Sequence, residues 1–311
     1  MSPPGPTNAT DQMVDVNGVR LYTRRVGDGP PVVVLHGGPG AHHDYLLPQY
    51  DRLAGDGGSR GSRGGRGGRG GRALLYYDQR GGGRSPVARD TPVGWREHVA
   101  DLEALRRHWG TDRLALLGYS WGALLAVLYA LEHPAQVERL ALVCPAPATA
   151  QWRREFERRF TSRMAEPWIG RARRELAASG LARGDPERYR RLAFALSVAG
   201  YFHDPSRARE MTPFRVTART QEAVWESLGD YDVRERIRRT FPKGKAPRSL
   251  VVAGIYDPMP IESARELAAS LDTGVVELAT GHAPHVEATE DFVRVLDSFL
   301  PRGGRSASSE S

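Results

Sequence analysis

The 311-residue chain contains one cysteine, Cys144, so no disulfide can form within it. That fits a reducing compartment, and a cytoplasmic location is the expectation. Lysine is nearly absent, with only Lys243 and Lys245 beside the many arginines. No apolar run approaches the roughly 20 residues that cross a bilayer, so no membrane partner is expected. Residues 1–12 are polar and proline-rich and lack the apolar stretch of a secretory signal. They are expected to be disordered. At this length one α/β domain carrying an insertion fits better than two independent domains.

The net charge of +7 is unevenly placed. Residues 55–72 carry five arginines against one aspartate, and residues 151–192 carry twelve arginines against six acids. The remainder is slightly acidic, so the basic balance alone does not make nucleic acid the expected partner. Residues 55–72 form a glycine-arginine tract with no apolar residue to bury, and a disordered surface insertion is expected there. Such tracts can contact RNA phosphates and stack on bases. An RNA-interacting protein is therefore the reading from a different functional class.

What the sequence does contain is a glycine-framed serine, Gly118-Tyr119-Ser120-Trp121-Gly122. It follows the apolar run 114–117 and precedes another at 123–130. That reads as strand, sharp turn and helix, with the serine in a strained conformation that admits only small neighbours. A serine hydroxyl becomes nucleophilic when a base takes its proton and a third group orients the base. Downstream, the apolar strand 249–254 leads into Asp257, and the strand 275–279 leads into Gly281-His282. Both side chains would stand at carboxyl ends of strands, where open α/β sheets place their ligands. Asp257 has a competing reading as a cap for the helix starting near Ile261. His282 competes with His285, which is read as a supporting histidine.

Acyl transfer also needs N–H donors for the developing oxyanion. Trp121 supplies one backbone N–H. The loop His36-Gly37-Gly38-Pro39-Gly40, after the strand 31–35, would supply the other from Gly38. His36 is read as a structural residue that holds this loop, and Cys144 as buried and inert.

With these pieces in order, the chain resembles the α/β-hydrolase fold superfamily, and within it the proline iminopeptidase (prolyl aminopeptidase) branch. The resemblance rests on residues 36–40, on Tyr77-Asp78-Gln79-Arg80-Gly81-Gly82-Gly83-Arg84-Ser85, on residues 118–122, on the helix ending His133-Pro134 and on Gly281-His282. It implies a mostly parallel central sheet flanked by helices, an inserted helical cap, and a cofactor-free serine hydrolase with Ser120, Asp257 and His282 as its triad. Residues 78–85 would be a structural turn. Relatives with an aspartate at the elbow, the dehalogenases and epoxide hydrolases, are disfavoured by Ser120. The family's aminopeptidases hold the substrate amine with cap glutamates. Glu166, Glu175, Glu222 and Glu226 are the candidates here, and no spacing selects a pair among them.

The expected organisation is a core of residues 13–145 and 241–300, a helical cap over 146–240 and a disordered tail over 301–311. A hairpin turning at Asn17-Gly18 should open the sheet. A helix is expected around Tyr45 to Leu53. The arginine-rich cap suits a neutral or anionic substrate better than a cationic amine. The expected partner is a small molecule or short peptide, with no metal and no cofactor. Peptidase, carboxylesterase and lactonase activities stay open, as does a receptor that keeps the fold without the chemistry.

Overall fold

The computed structural model describes residues 9–55 and 70–303. Eight strands form one sheet: β1 (Ala9–Val16), β2 (Val19–Val26), β3 (Pro31–Leu35), β4 (Ala73–Tyr77), β5 (Leu114–Tyr119), β6 (Val137–Val143), β7 (Arg248–Gly254) and β8 (Val275–Leu278). Their spatial order is β1-β2-β4-β3-β5-β6-β7-β8. The β1–β2 and β2–β4 pairs are antiparallel, and every later pair is parallel. Asn17 and Gly18, at φ 47° and 76°, make the two-residue turn between β1 and β2.

Strands β3, β4 and β5 are apolar along their whole length because helices cover both faces of the sheet. Alternation still sorts their residues. Val33, Leu35, Leu114 and Leu116 join one core, while Val32, Val34, Ala115 and Leu117 join the other. The first core is closed by α1 (Trp95–His108) and α2 (Trp121–Glu132). Every residue of α2 from Trp121 to Leu131 is buried. Between β6 and β7 run six helices: α3 (Ala150–Met164), α4 (Pro167–Ala178), α5 (Leu181–Gly184), α6 (Pro186–Val198), α7 (Ala218–Leu228) and α8 (Arg234–Thr240). The chain closes with α9 (Ile261–Ser270), α10 (Pro284–Glu287) and α11 (Thr289–Phe299), whose Phe292, Leu296 and Phe299 enter the second core.

Three local expectations are corrected. Residues 9–12 are not disordered but extend β1, paired with residues 23–26 of β2. The segment around Tyr45 to Leu53 is not one helix but two 3₁₀ turns, His43–Leu46 and Tyr50–Ala54. Pro48, which lacks an N–H and disfavours helix before it, falls between them. Arg72 does not belong to a disordered tract: it is buried, and its guanidinium donates to Leu53 O, Pro301 O and Asp297 Oδ1. The same contacts order Pro301 to Gly303, whose last N–H donates to Gly71 O. The rest of the expected disordered segments, residues 1–8, 56–69 and 304–311, lies outside the described residues.

Three of the fully buried histidines, His36, His98 and His285, are kept neutral by burial. Burial lowers His36 to about 4, and His98 and His285 to about 3. In the unfolded chain each would protonate near pH 6.5. Below that pH the unfolded state binds more protons, so stability falls as pH drops from about 6.5 towards 4, by about 1.4 kcal/mol per pH unit for each histidine. The urea midpoint should therefore fall between pH 7 and pH 5, and His285→Gln should make that decline shallower. An unchanged slope in the variant would show that His285 is not held neutral.

Candidate active site

Ser120 lies between β5 and α2 with φ 54° and ψ −117°, a region that residues with side chains rarely enter. The crowding around it explains the flanking glycines. A Cβ on Gly118 would lie 2.4 Å from Gly122 O, and one on Gly122 would lie 2.1 Å from Leu35 O. The turn is pinned from the next strand, since Ser120 N–H donates to Val143 O.

The structure brings Ser120, His282 and Asp257 together. His282 Nε2 is 3.0 Å from Ser120 Oγ, and His282 Nδ1 is 2.7 Å from Asp257 Oδ2. The second carboxylate oxygen of Asp257 accepts the Met259 N–H at 2.7 Å. Asp257 does not cap α9, whose N-cap position is Pro260. His285 is buried edge-on against Tyr119 and Tyr50, and it is His282 that reaches the serine. With Asp257 accepting the Nδ1 proton, Nε2 is free to take the proton of the hydroxyl.

Gly38 has φ +55°, a conformation glycine adopts without strain, and it lines the same cavity as Ser120 and Trp121. Trp121 is the first residue of α2, so its N–H has no acceptor within the helix. A hydrogen-bond network fixes this loop to the helix. His36 Nε2 accepts the Gln79 N–H, which places the ring proton on Nδ1, donating to Gly37 O. The Gln79 side chain donates to His36 O and accepts the Trp121 indole N–H. Tyr45 OH accepts the Gly37 N–H at 2.6 Å. Asp78 is buried beside this network and accepts from His43 Nδ1 and from the His43 and Arg84 backbones. Those bonds hold its carboxyl well below the ordinary range despite burial.

The segment between β6 and β7 is also part of the site. Tyr201 O accepts the His282 N–H at 2.6 Å, and the Tyr201 ring stacks on the His282 ring at 5.2 Å. Glu287 accepts the N–H groups of His203, Asp204 and Gly281, tying this segment to the His282 loop. Burial pushes the Glu287 carboxyl above its ordinary pKa. Neither residue was marked by sequence spacing, because Tyr201 acts through its own carbonyl and ring on the distant His282, and Glu287 joins the nearby Gly281 to amides far back in the chain.

Ser120, His282, Gly38 and Trp121 face a cavity of about 500 Å³. Its walls are mainly aromatic and apolar, among them Phe156, Phe160, Phe214 and Trp225. Of the four glutamates marked in the sequence, Glu222 lines it. Glu157, which was not marked, lines it too. Glu166 instead accepts the Trp168 indole N–H, and Glu175 borders a different cavity. Glu226 is exposed and lines neither. Cys144, Asp257 and His282 are the one group with metal-ligand spacing among the described residues. Asp257 and His282 are already bonded to each other, and burial raises the Cys144 thiol well above its ordinary pKa. The donor set therefore suits a proton relay better than a cation.

Residues 30–289 match the family model of the alpha/beta hydrolase fold, and the chain belongs to that family. A proline iminopeptidase of Lactobacillus helveticus is 28% identical over 309 residues, spanning 91% of this chain and 95% of its own length. A proline iminopeptidase of Saccharolobus solfataricus is 39% identical over 121 residues, 37% of this chain and 34% of its own. Among solved structures, a proline iminopeptidase-related protein from Thermus thermophilus superposes with a TM-score of 0.68 at 22% identity, covering 94% of this chain and 97% of its own. The enol-lactonase from Burkholderia xenovorans gives 0.62 at 21% identity, covering 93% and 99%. At these identities the structural likeness is one of fold.

Replacing Glu287 by Ala removes the acceptor shared by His203, Asp204 and Gly281. Hydrogen exchange at those three amides should accelerate by about tenfold or more, while the β5 amides keep their protection. Equal protection in variant and wild type would mean that the carboxylate does not hold the two segments together.

Proposed function

We propose that the protein is a serine hydrolase that cleaves a small ester or amide through an acyl-enzyme. The observation that carries this reading is the chain of hydrogen bonds from Asp257 through His282 to Ser120, at 2.7 and 3.0 Å, opening on a cavity. Ser120 Oγ attacks the substrate carbonyl as His282 Nε2 takes its proton. Asp257 keeps the imidazole in the required tautomer and stabilises the imidazolium that forms. The Gly38 and Trp121 N–H groups face the developing oxyanion. His282 then gives its proton to the leaving group, and a water activated by the same ring releases the acyl group. The core of residues 13–145 and 241–300 supplies this chemistry. Residues 146–240 act as a cap that roofs the cavity and selects substrate.

Release of N-terminal proline from short peptides is a second reading. The iminopeptidase relatives favour it, as do Glu157 and Glu222, two carboxylates that could meet a substrate ammonium at the cavity wall. A carboxylesterase or lactonase without peptidase activity is the alternative.

Wild type and Ser120→Ala should be compared on proline p-nitroanilide and on p-nitrophenyl butyrate. The variant should lose about 10⁴-fold or more in kcat on whichever compound the wild type turns over, and Asp257→Asn about 10²- to 10⁴-fold. Serine-dependent cleavage of the anilide well above that of the ester selects the iminopeptidase reading, and cleavage of the ester alone selects the esterase reading. A Ser120→Ala protein as active as wild type on both would remove the proposal.

A further inference from the structure

We infer that Arg153 is a specificity-determining residue that receives a carboxylate of the substrate, so that the preferred ester or amide carries an anionic end remote from the cleaved bond. The inference rests on the reading of Ser120 as nucleophile and names the substrate class for that same cavity.

Arg153 lies in the first turn of α3 and lines the cavity that contains Ser120. Its Nη1 donates to Glu157 Oε1 at 2.5 Å. Its Nε is buried and has no acceptor in the protein. A guanidinium keeps that N–H, so a small rotation that turns its edge towards a ligand oxygen gains a bond the protein itself does not supply. The cation is also the more buried member of its pair, with 23% of the Arg153 side chain exposed against 51% for Glu157. Glu157 and Glu222 are exposed enough to remain hydrated, whereas the guanidinium has lost part of its water. Its orientation is set by Trp225, whose ring centre lies 5.1 Å from the guanidinium carbon. Trp225 in turn packs edge-on against Trp121 at 5.4 Å, which connects the cation to the residue beside the nucleophile. Arg153 is the one arginine or lysine among the described residues lining this cavity, whose walls are mainly apolar, with Phe156, Phe160 and Val216, beside the carboxylates of Glu157 and Glu222, so a ligand carboxylate finds a single strong cationic partner there. Carboxylate is the group that best matches a guanidinium edge.

The test compares wild type, Arg153→Met and Arg153→Gln on a matched pair, p-nitrophenyl hexanoate and mono-p-nitrophenyl adipate, which differ by a terminal carboxylate. The wild-type kcat/KM should favour the adipate by about tenfold or more, mainly through KM, and the ratio should fall to about one or below in both variants. A wild-type ratio at or below one, or a ratio that both variants retain, overturns the inference and leaves the serine hydrolase reading standing. If neither ester is cleaved in a Ser120-dependent way, the serine hydrolase reading is decided on the prolyl anilide instead. Calorimetry with 4-phenylbutyrate and 4-phenylbutanol then decides the role of Arg153 without turnover. Carboxylate binding about tenfold weaker in the variants, with the alcohol unaffected, supports it, and equal carboxylate binding overturns it. Thermal unfolding of both variants identifies any that fail to fold, and the folded one carries the comparison.

Discussion

The backbone conformation of Ser120 is the constraint on which the rest of the site depends. A serine at φ 54° and ψ −117° is unfavourable by about 1–3 kcal/mol, and surrounding structure must hold it there. Four groups bond its main chain: Val143 O takes its N–H, while its carbonyl receives the N–H groups of Ala123, Leu124 and Ala146. Strands β3, β5 and β6 and helix α2 must therefore converge at one point, and they do so closely enough that Gly118 and Gly122 have no room for a side chain. Holding the hydroxyl in this way leaves it facing His282 rather than its own helix.

Around that point the site is held by two layers with different chemistry. Below it, His36, Gln79 and Tyr45 form a buried polar network in which donors and acceptors alternate, fixing both the Gly38 loop and the indole of Trp121. Such a network is rigid because removing any member leaves a buried polar group unpaired. Above it, Tyr201, Phe156 and Phe160 form an aromatic stack that ends on the His282 ring. The polar layer sets directions, and the aromatic layer limits water.

Legibility in the sequence followed the range of the interactions. The elbow, the Gly38 loop and the strand-end positions of Asp257 and His282 depend on neighbours within a few residues, so the local pattern exposes them. The hairpin at Asn17-Gly18 is legible, but the first four residues of β1 hide because residues 9–13 are exposed, which erases the apolar alternation by which strands are recognised. Arg72 sits in a composition typical of disorder, and its partners at Leu53, Asp297 and Pro301 come from distant segments. Tyr201 and Glu287 act on or through main-chain groups, which place no demand on the identity of the residues they contact. The pocket carboxylates show the same limit. Glu157 and Glu222 come together because α3 and α7 pack over one cavity, and nothing in either helix alone singles them out.

The bond from His282 N–H to Tyr201 O has a consequence for how this architecture can diversify. In a modular enzyme a lid can be exchanged for another without loss of the chemistry beneath it. Here the inserted segment supplies an acceptor to the histidine backbone, a stacking face to its ring and two amides to Glu287. Residues 200–204 and the His282 loop are thus not separable modules. A chimera that keeps residues 200–204 with the sheet, and exchanges only the helices before and after them, preserves the histidine's support while changing the walls. On the proposed reading, α3 and α7 are free to drift and alter the cavity walls, while the short segment around Tyr201 belongs with the supports of His282.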